Sequence, residues 1–242
     1  MASGSKDLPE SLLEAIHRSR EWGFLGDGPI DVHIAHAQGF AEALKWAVEE
    51  DPSIEQTEGG ATLVPGPWMD LGSGGGIPGL ILAHLWPARE ATLLDGSERR
   101  TRFLSQVVEE QGWTDRVRVV TARAEVAGRA ESLRGAFSLV VARSFGSPPV
   151  TAECAAPFLR LGGMLIVSEP PTDPGPAALP DSSRWPGEGL ATIGLRNLGL
   201  WRGAFGYRVL RQGPARLRSL YVLEGASLAR ACPITSRWAE RI

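Results

Sequence analysis

The stretch Asp70-Leu71-Gly72-Ser73-Gly74-Gly75-Gly76-Ile77-Pro78-Gly79 compresses a strand end, a glycine loop and a helix start into ten residues. Glycine admits positive φ and lets another group approach the backbone without meeting a Cβ, so glycines at alternate positions favour a tight, accessible loop. Pro78 suits the first helical turn, where no N–H is missed. A chain with this signature is constrained to place a helix directly after a short apolar strand.

The segments that follow obey the same rule. Trp68–Leu71, Ala91–Leu94, Val117–Val120, Phe137–Ala142 and Gly163–Val167 are short apolar runs. Between them lie helical candidates near Pro78–Leu85, Ser97–Gln111 and Thr151–Leu159. Strands alternating with helices predict βαβ units and a mostly parallel, doubly wound α/β sheet. Upstream, Pro9–Trp22 and Asp31–Glu50 repeat apolar residues at helical spacing, as in Ile34, Ala37, Ala41, Leu44 and Val48. Residues 51–67, rich in Gly, Pro, Thr and Glu, read as a linker. The predicted organisation is an N-terminal helical extension over residues 1–60 and a Rossmann-like domain over 61–242. Downstream, Pro170–Pro186 reads as a surface excursion and Glu188–Leu198 as a helix. A closing antiparallel hairpin is predicted from Tyr207–Leu210 and Ser219–Leu223 around Gly213-Pro214.

Composition narrows the partners. At 242 residues, 43% hydrophobic and 22% charged, the chain has material for one sizeable core. A net charge of −3 provides no global basic field, so a nucleic acid would have to be held by a local patch. Cys154 and Cys232 have no paired spacing, and neither a signal-like segment nor a membrane-length apolar run is evident. The expectation is a cytoplasmic protein without disulfides, structural zinc or a membrane partner.

Gly74-x-Gly76-x-x-Gly79 satisfies the dinucleotide fingerprint, and Asp95 closes the next strand at the distance of an acid that grips ribose hydroxyls. The residues alone thus point to an adenosine cofactor. Asp70 extends the pattern to Asp-x-Gly-x-Gly-x-Gly, which resembles the first motif of S-adenosylmethionine-dependent methyltransferases. An NADP-dependent oxidoreductase is the alternative, with Arg99, Arg100 and Arg102 available to a 2′-phosphate, although at helical spacing they suit a solvated face.

Further pieces resemble one methyltransferase family, GidB or RsmG, which transfers methyl to N7 of a guanine in 16S ribosomal RNA. They are Thr92-Leu93-Leu94-Asp95-Gly96-Ser97-Glu98-Arg99-Arg100, Arg102-Phe103-Leu104, Arg123-Ala124-Glu125, Val141-Ala142-Arg143-Ser144-Phe145 and Leu161-Gly162-Gly163-Met164-Leu165. The resemblance implies S-adenosyl-L-methionine as cofactor and 16S rRNA or the small ribosomal subunit as partner. It places Gly72 and Ile77 in the loop around the methionyl group, Asp95 on the ribose and Ala124 and Glu125 at the adenine, with Gly74 and Gly76 of the fingerprint as further cofactor-binding candidates. Arg143 falls at the end of the fourth strand, positioning cofactor or acceptor. No catalytic residue is assigned, because N7 of guanine carries a lone pair and no proton and needs no general base.

The chain departs from that pattern in places. His36 stands where the family has an acid, and an upstream Asn-Leu-Thr stretch is missing. Glu169 occupies the place of a lysine, which sets an expectation of repulsion toward phosphate and leaves a different acceptor as an alternative. His33 and His36 lie three apart without further ligands, so they read as one packed and one solvated side chain, not a metal pair. In the tail, Arg196, Arg202, Arg208, Arg211, Arg216 and Arg218 interleave with Trp201, Phe205 and Tyr207. That composition fits either an RNA-binding stripe or a hairpin whose aromatics face the core.

Overall fold

The computed structural model describes residues 8–51, 66–170 and 184–213. Two helices, α1 (Glu10–Glu21) and α2 (Ile30–Glu50), come first. Then follow β1 (Trp68–Leu71), α3 (Gly79–Leu85), β2 (Ala91–Asp95), α4 (Glu98–Glu110), β3 (Val117–Thr121) and α5 (Ala124–Ala127). The remaining elements are β4 (Phe137–Ala142), α6 (Pro148–Ala155) with a 3-10 turn (Ala156–Phe158), β5 (Leu159–Glu169), α7 (Gly187–Thr192), β6 (Leu195–Arg202) and β7 (Gly206–Gln212).

The strands form one sheet in the order β3-β2-β1-β4-β5-β7-β6. The first five run parallel; β7 inserts antiparallel between β5 and β6. The central strands β1, β2 and β4 are buried at every position and mostly apolar, because both faces are covered. Trp68, Leu139, Val141, Met164 and Ile166 join the cluster under α1–α4, whereas Met69, Leu71, Val140, Leu165 and Val167 join the one under α5–α7. Period-two alternation thus divides each strand between two cores. Leu12, Ile16, Ile34, Phe40 and Leu44 of the N-terminal helices lie in the first of these clusters.

Helix α2 packs closely against the last strand. Gly39 faces the ring of Tyr207, and a Cβ there would lie 2.3 Å from the phenolic oxygen. The Tyr207 hydroxyl donates to the His36 carbonyl at 2.6 Å, and its ring meets Phe40 edge-on at 4.8 Å between centroids.

The C-terminal region differs from the sequence expectation. The helix stops at Thr192 rather than Leu198, and residues 195–202 form strand β6. Gly194, at φ 77°, turns the backbone out of the helix. Leu195, Leu198 and Trp201 recur at a spacing that imitates a helix face, but Leu195 and Trp201 pair with β7 and Leu198 sits at the register shift between Asn197 and Gly199. The antiparallel hairpin is therefore β6–β7, turning at residues 203–205, and the predicted strand Ser219–Leu223 lies outside the described residues. The linker reading falls mostly on residues 52–65, also outside them.

Candidate cofactor cavity and adjoining arginine site

At the carboxyl ends of β1, β2 and β3 lies a cavity of about 610 Å³. The glycine loop forms one side. Gly72 takes φ 77°, its N–H and that of Ser73 donate to the Leu94 carbonyl at 2.8 and 2.9 Å, and the loop is thereby tied to β2. A Cβ on Gly72 would come within 2.6 Å of the Phe145 ring. The ring thus sits directly over the loop backbone.

Asp95 is the electrostatic hinge of this wall. One carboxylate oxygen accepts from the Gly74 N–H at 2.9 Å and the other from the Ser97 N–H at 2.8 Å. Each oxygen keeps a second lone-pair direction, so the carboxylate can take further donors while the backbone fixes its position. The Arg100 guanidinium approaches to 3.8 Å.

Asp70 is wholly buried and does a different job. One oxygen accepts from the Gly79 N–H across the loop at 3.0 Å; the other has no hydrogen-bond partner. Burial pushes this carboxyl up to about 7. A Cβ on Gly79 would lie 2.4 Å from Asp70, and one on Gly76 would lie 2.4 Å from Leu80. Two glycines of the fingerprint are therefore demanded by packing inside the protein. From outside, the Ser19 hydroxyl of α1 donates to the Gly75 carbonyl at 2.7 Å, with Phe24 and Leu25 against the same residue.

Of the residues singled out from sequence, Gly72, Asp95, Ala124 and Glu125 line the cavity. Gly74 touches it through Asp95. Gly76 and Ile77 are packed into the loop's underside, Ile77 in the cluster beneath α1–α4. Arg143 points elsewhere: it donates to His33 Nδ1 at 2.7 Å, and His33 Nε2 in turn meets the Gly26 carbonyl at 3.1 Å. Because Nδ1 accepts from a guanidinium, Nε2 carries the ring proton. Burial, then the Arg143 charge, lowers the His33 pKa.

The second histidine is packed as well, contrary to the expectation that one of the pair is solvated. His36 stacks on Phe205 with centroids 4.4 Å apart, and burial drives its pKa down to about 4. Among the described residues no group of three or more His, Cys, Asp or Glu is arranged to hold a metal. No helix among them is long and apolar enough to cross a membrane.

Glu169 overturns the repulsion expected of it. At the end of β5 it is buried, paired with Arg184, accepting from the Trp185 indole N–H and 3.6 Å from the Arg208 guanidinium. Its charge is spent inside the fold. The tail stripe resolves likewise: Arg208 is buried, Arg196 and Arg211 both reach Asp51 at 3.0 and 2.7 Å, and Tyr207 lies in the core. Arg216 and Arg218 fall outside the described residues. Sequence reasoning missed Glu153 and Cys154 of α6, both of which line the cavity. The available signal was a single acid within the apolar run Val150–Ala156.

A mostly parallel sheet of this order, with an acid closing β2 and a glycine loop after β1, is the Rossmann-like methyltransferase fold. A candidate O-methyltransferase from Klebsiella pneumoniae has the same architecture, with a TM-score of 0.58 at 13% identity over 86% of this chain and 92% of that one. A Corynebacterium glutamicum protein gives 0.51 at 18% identity over the same shares.

The family match is narrower. Residues 57–169 match the GidB family model, rRNA small subunit methyltransferase G. Ribosomal RNA small subunit methyltransferase G of Prochlorococcus marinus (strain NATL1A) is 42% identical over 100 residues, and its namesake from Parasynechococcus marenigrum 43% over 99. Each alignment takes in 41% of this chain and 40% of the relative, so the chain spans about two fifths of the length of these curated relatives. The matched segment holds the glycine loop, Asp95, Glu125 and Arg143.

Proposed function

We propose that this protein is an S-adenosylmethionine-dependent methyltransferase of the GidB type, working in the cytoplasm on N7 of a guanine in small-subunit ribosomal RNA. The observation that carries the reading is Asp95, a buried carboxylate held by two backbone amides at the mouth of a glycine loop, inside the segment that matches the family model. The cavity fits an adenosyl group. Asp95 has lone pairs left for a ribose diol, Gly72 lines the cavity without a Cβ, and Ala124 and Glu125 offer a wall to the base. The same carboxylate disfavours NADP, whose 2′-phosphate would be brought against it.

S-adenosylmethionine bound there supplies an electrophilic methyl group. The chain's own contribution is placement. Guanine N7 carries a lone pair and no proton, so the residues need to align the acceptor and exclude water, and orientation alone can lower a barrier by several kcal/mol. Arg143, locked by His33 one strand beyond the loop, is suited to steering the acceptor side. With Glu169 neutralised by Arg184 and Arg208, the end of β5 presents no free anion to a phosphate backbone.

Calorimetric titration with S-adenosylhomocysteine, followed by labelled-methyl transfer to small subunits from a strain lacking the protein, tests both halves. Absence of binding overturns the cofactor. Binding without incorporation into ribosomal RNA leaves a methyltransferase with another acceptor.

A further inference from the structure

We propose that Glu153 reads the exocyclic amine of the purine in the cavity, making the site selective for a 6-amino over a 6-oxo purine nucleoside. This rests on the adenosyl reading of the cavity given above and extends it to a residue of α6.

Glu153 is 6% exposed and lies in the cavity wall, yet one of its carboxylate oxygens has no hydrogen-bond partner. Buried polar groups are nearly always paired, and an orphan beside a cavity is explained by a donor the ligand brings. The surrounding wall supports a flat base. Val150, Ala124, Gly128 and Pro157 supply apolar surface, and a Cβ on Gly128 would press to 3.2 Å from Pro157, so this wall is closely packed.

The other two acids lining the cavity, Glu125 and Asp95, have partners within the protein, and Cys154 is neutral. Glu125 pairs with Arg123 at 3.2 Å, Asp95 with the loop amides, and burial pushes the Cys154 thiol up to about 12. Glu153 is the acid of this wall with a buried oxygen that no donor among the described residues reaches. Burial raises the Glu153 pKa to about 7, so the comparison is made at pH 8.5, where an amine at C6 donates to the ionised carboxylate and a carbonyl there sets two acceptors against each other. A site built around a ligand N–H rejects the analogue lacking it far more strongly than an apolar wall would.

The test compares S-adenosylhomocysteine with S-inosylhomocysteine by calorimetry on wild type, Glu153→Gln and Glu153→Ala. Wild type is expected to prefer the adenosyl compound about a hundredfold. Glu153→Gln, whose amide can turn either group toward the base, is expected to keep adenosyl affinity within a few-fold while the preference falls below about tenfold. Glu153→Ala should lose the preference too, and thermal unfolding checks that both variants fold. A merely structural glutamate would move both affinities together. If wild type binds the adenosyl compound but either folded variant keeps the full preference, or wild type has none, this inference fails and the cofactor reading stands. If wild type binds neither compound, both fail.

Discussion

Replacing Asp70 by Asn isolates the cost of a buried carboxylate beneath the glycine loop. In the folded chain this group titrates near 7, against 3.8 when free, chiefly because burial disfavours its charge. Between those values the folded state holds a proton that the unfolded state has released, so stability falls as pH rises and levels off above 7. Each pH unit in the interval costs about 1.4 kcal/mol. From pH 5 to pH 8 the total is about 3 kcal/mol, because the fall stops once the native group ionises. Asparagine keeps the acceptor for the Gly79 N–H and removes the charge. Urea unfolding of both proteins at pH 5, 6, 7 and 8 should therefore show the variant gaining about 3 kcal/mol on wild type across the series. Other titrating groups cancel in that difference. A gap that stays constant with pH, or narrows, refutes the reasoning.

Restoring the family's residue by Glu169→Lys is expected to destabilise the fold by about 3–5 kcal/mol, since Arg184 and Arg208 lose their shared carboxylate; an urea midpoint near wild type would contradict that. Gly75→Ala drives a Cβ to 2.3 Å from the Ser19 hydroxyl and should cost about 1–3 kcal/mol. Adding Ser19→Ala should recover part of this loss, a coupling that a double-mutant cycle would measure. His33→Ala should lower methyl transfer at least tenfold, whereas His33→Asn, which keeps an acceptor near the Nδ1 position, should retain most of it, with single-turnover rates as the readout.

Much of the parallel core was legible because covered strands leave plain traces. Trp68–Leu71 and Phe137–Ala142 are apolar at all but one position each, Asp70 and Ser138, a density that water-facing strands do not sustain. Asp95 was found by its spacing from the glycine loop, and it lines the cavity. What the chain hid was pairing at long range. Nothing near Arg143 announces His33, 110 positions away, and Glu169 looks like an exposed anion until Arg184 and Arg208 fold onto it. Strand β6 was mistaken for a helix because its large side chains fall three apart; Gly194 was the local sign that the helix had ended. Of the glycine loop, the motif was plain but its division of labour was not. Gly76 and Gly79 answer to Leu80 and Asp70, and only the folded neighbours reveal that.

The seat of Tyr207 against Gly39 has a consequence for the order in which a ribosome makes the chain. His36 and Tyr207 are 171 positions apart, so α2 emerges long before the strand that covers its aromatic side. The same late strand also caps the edge of β5. Until it arrives, the nascent protein carries two adhesive surfaces at once, one greasy helix side and one row of open amides. A single segment then closes both, so translational stalling just upstream of β7 would turn a stable domain into a client for chaperones.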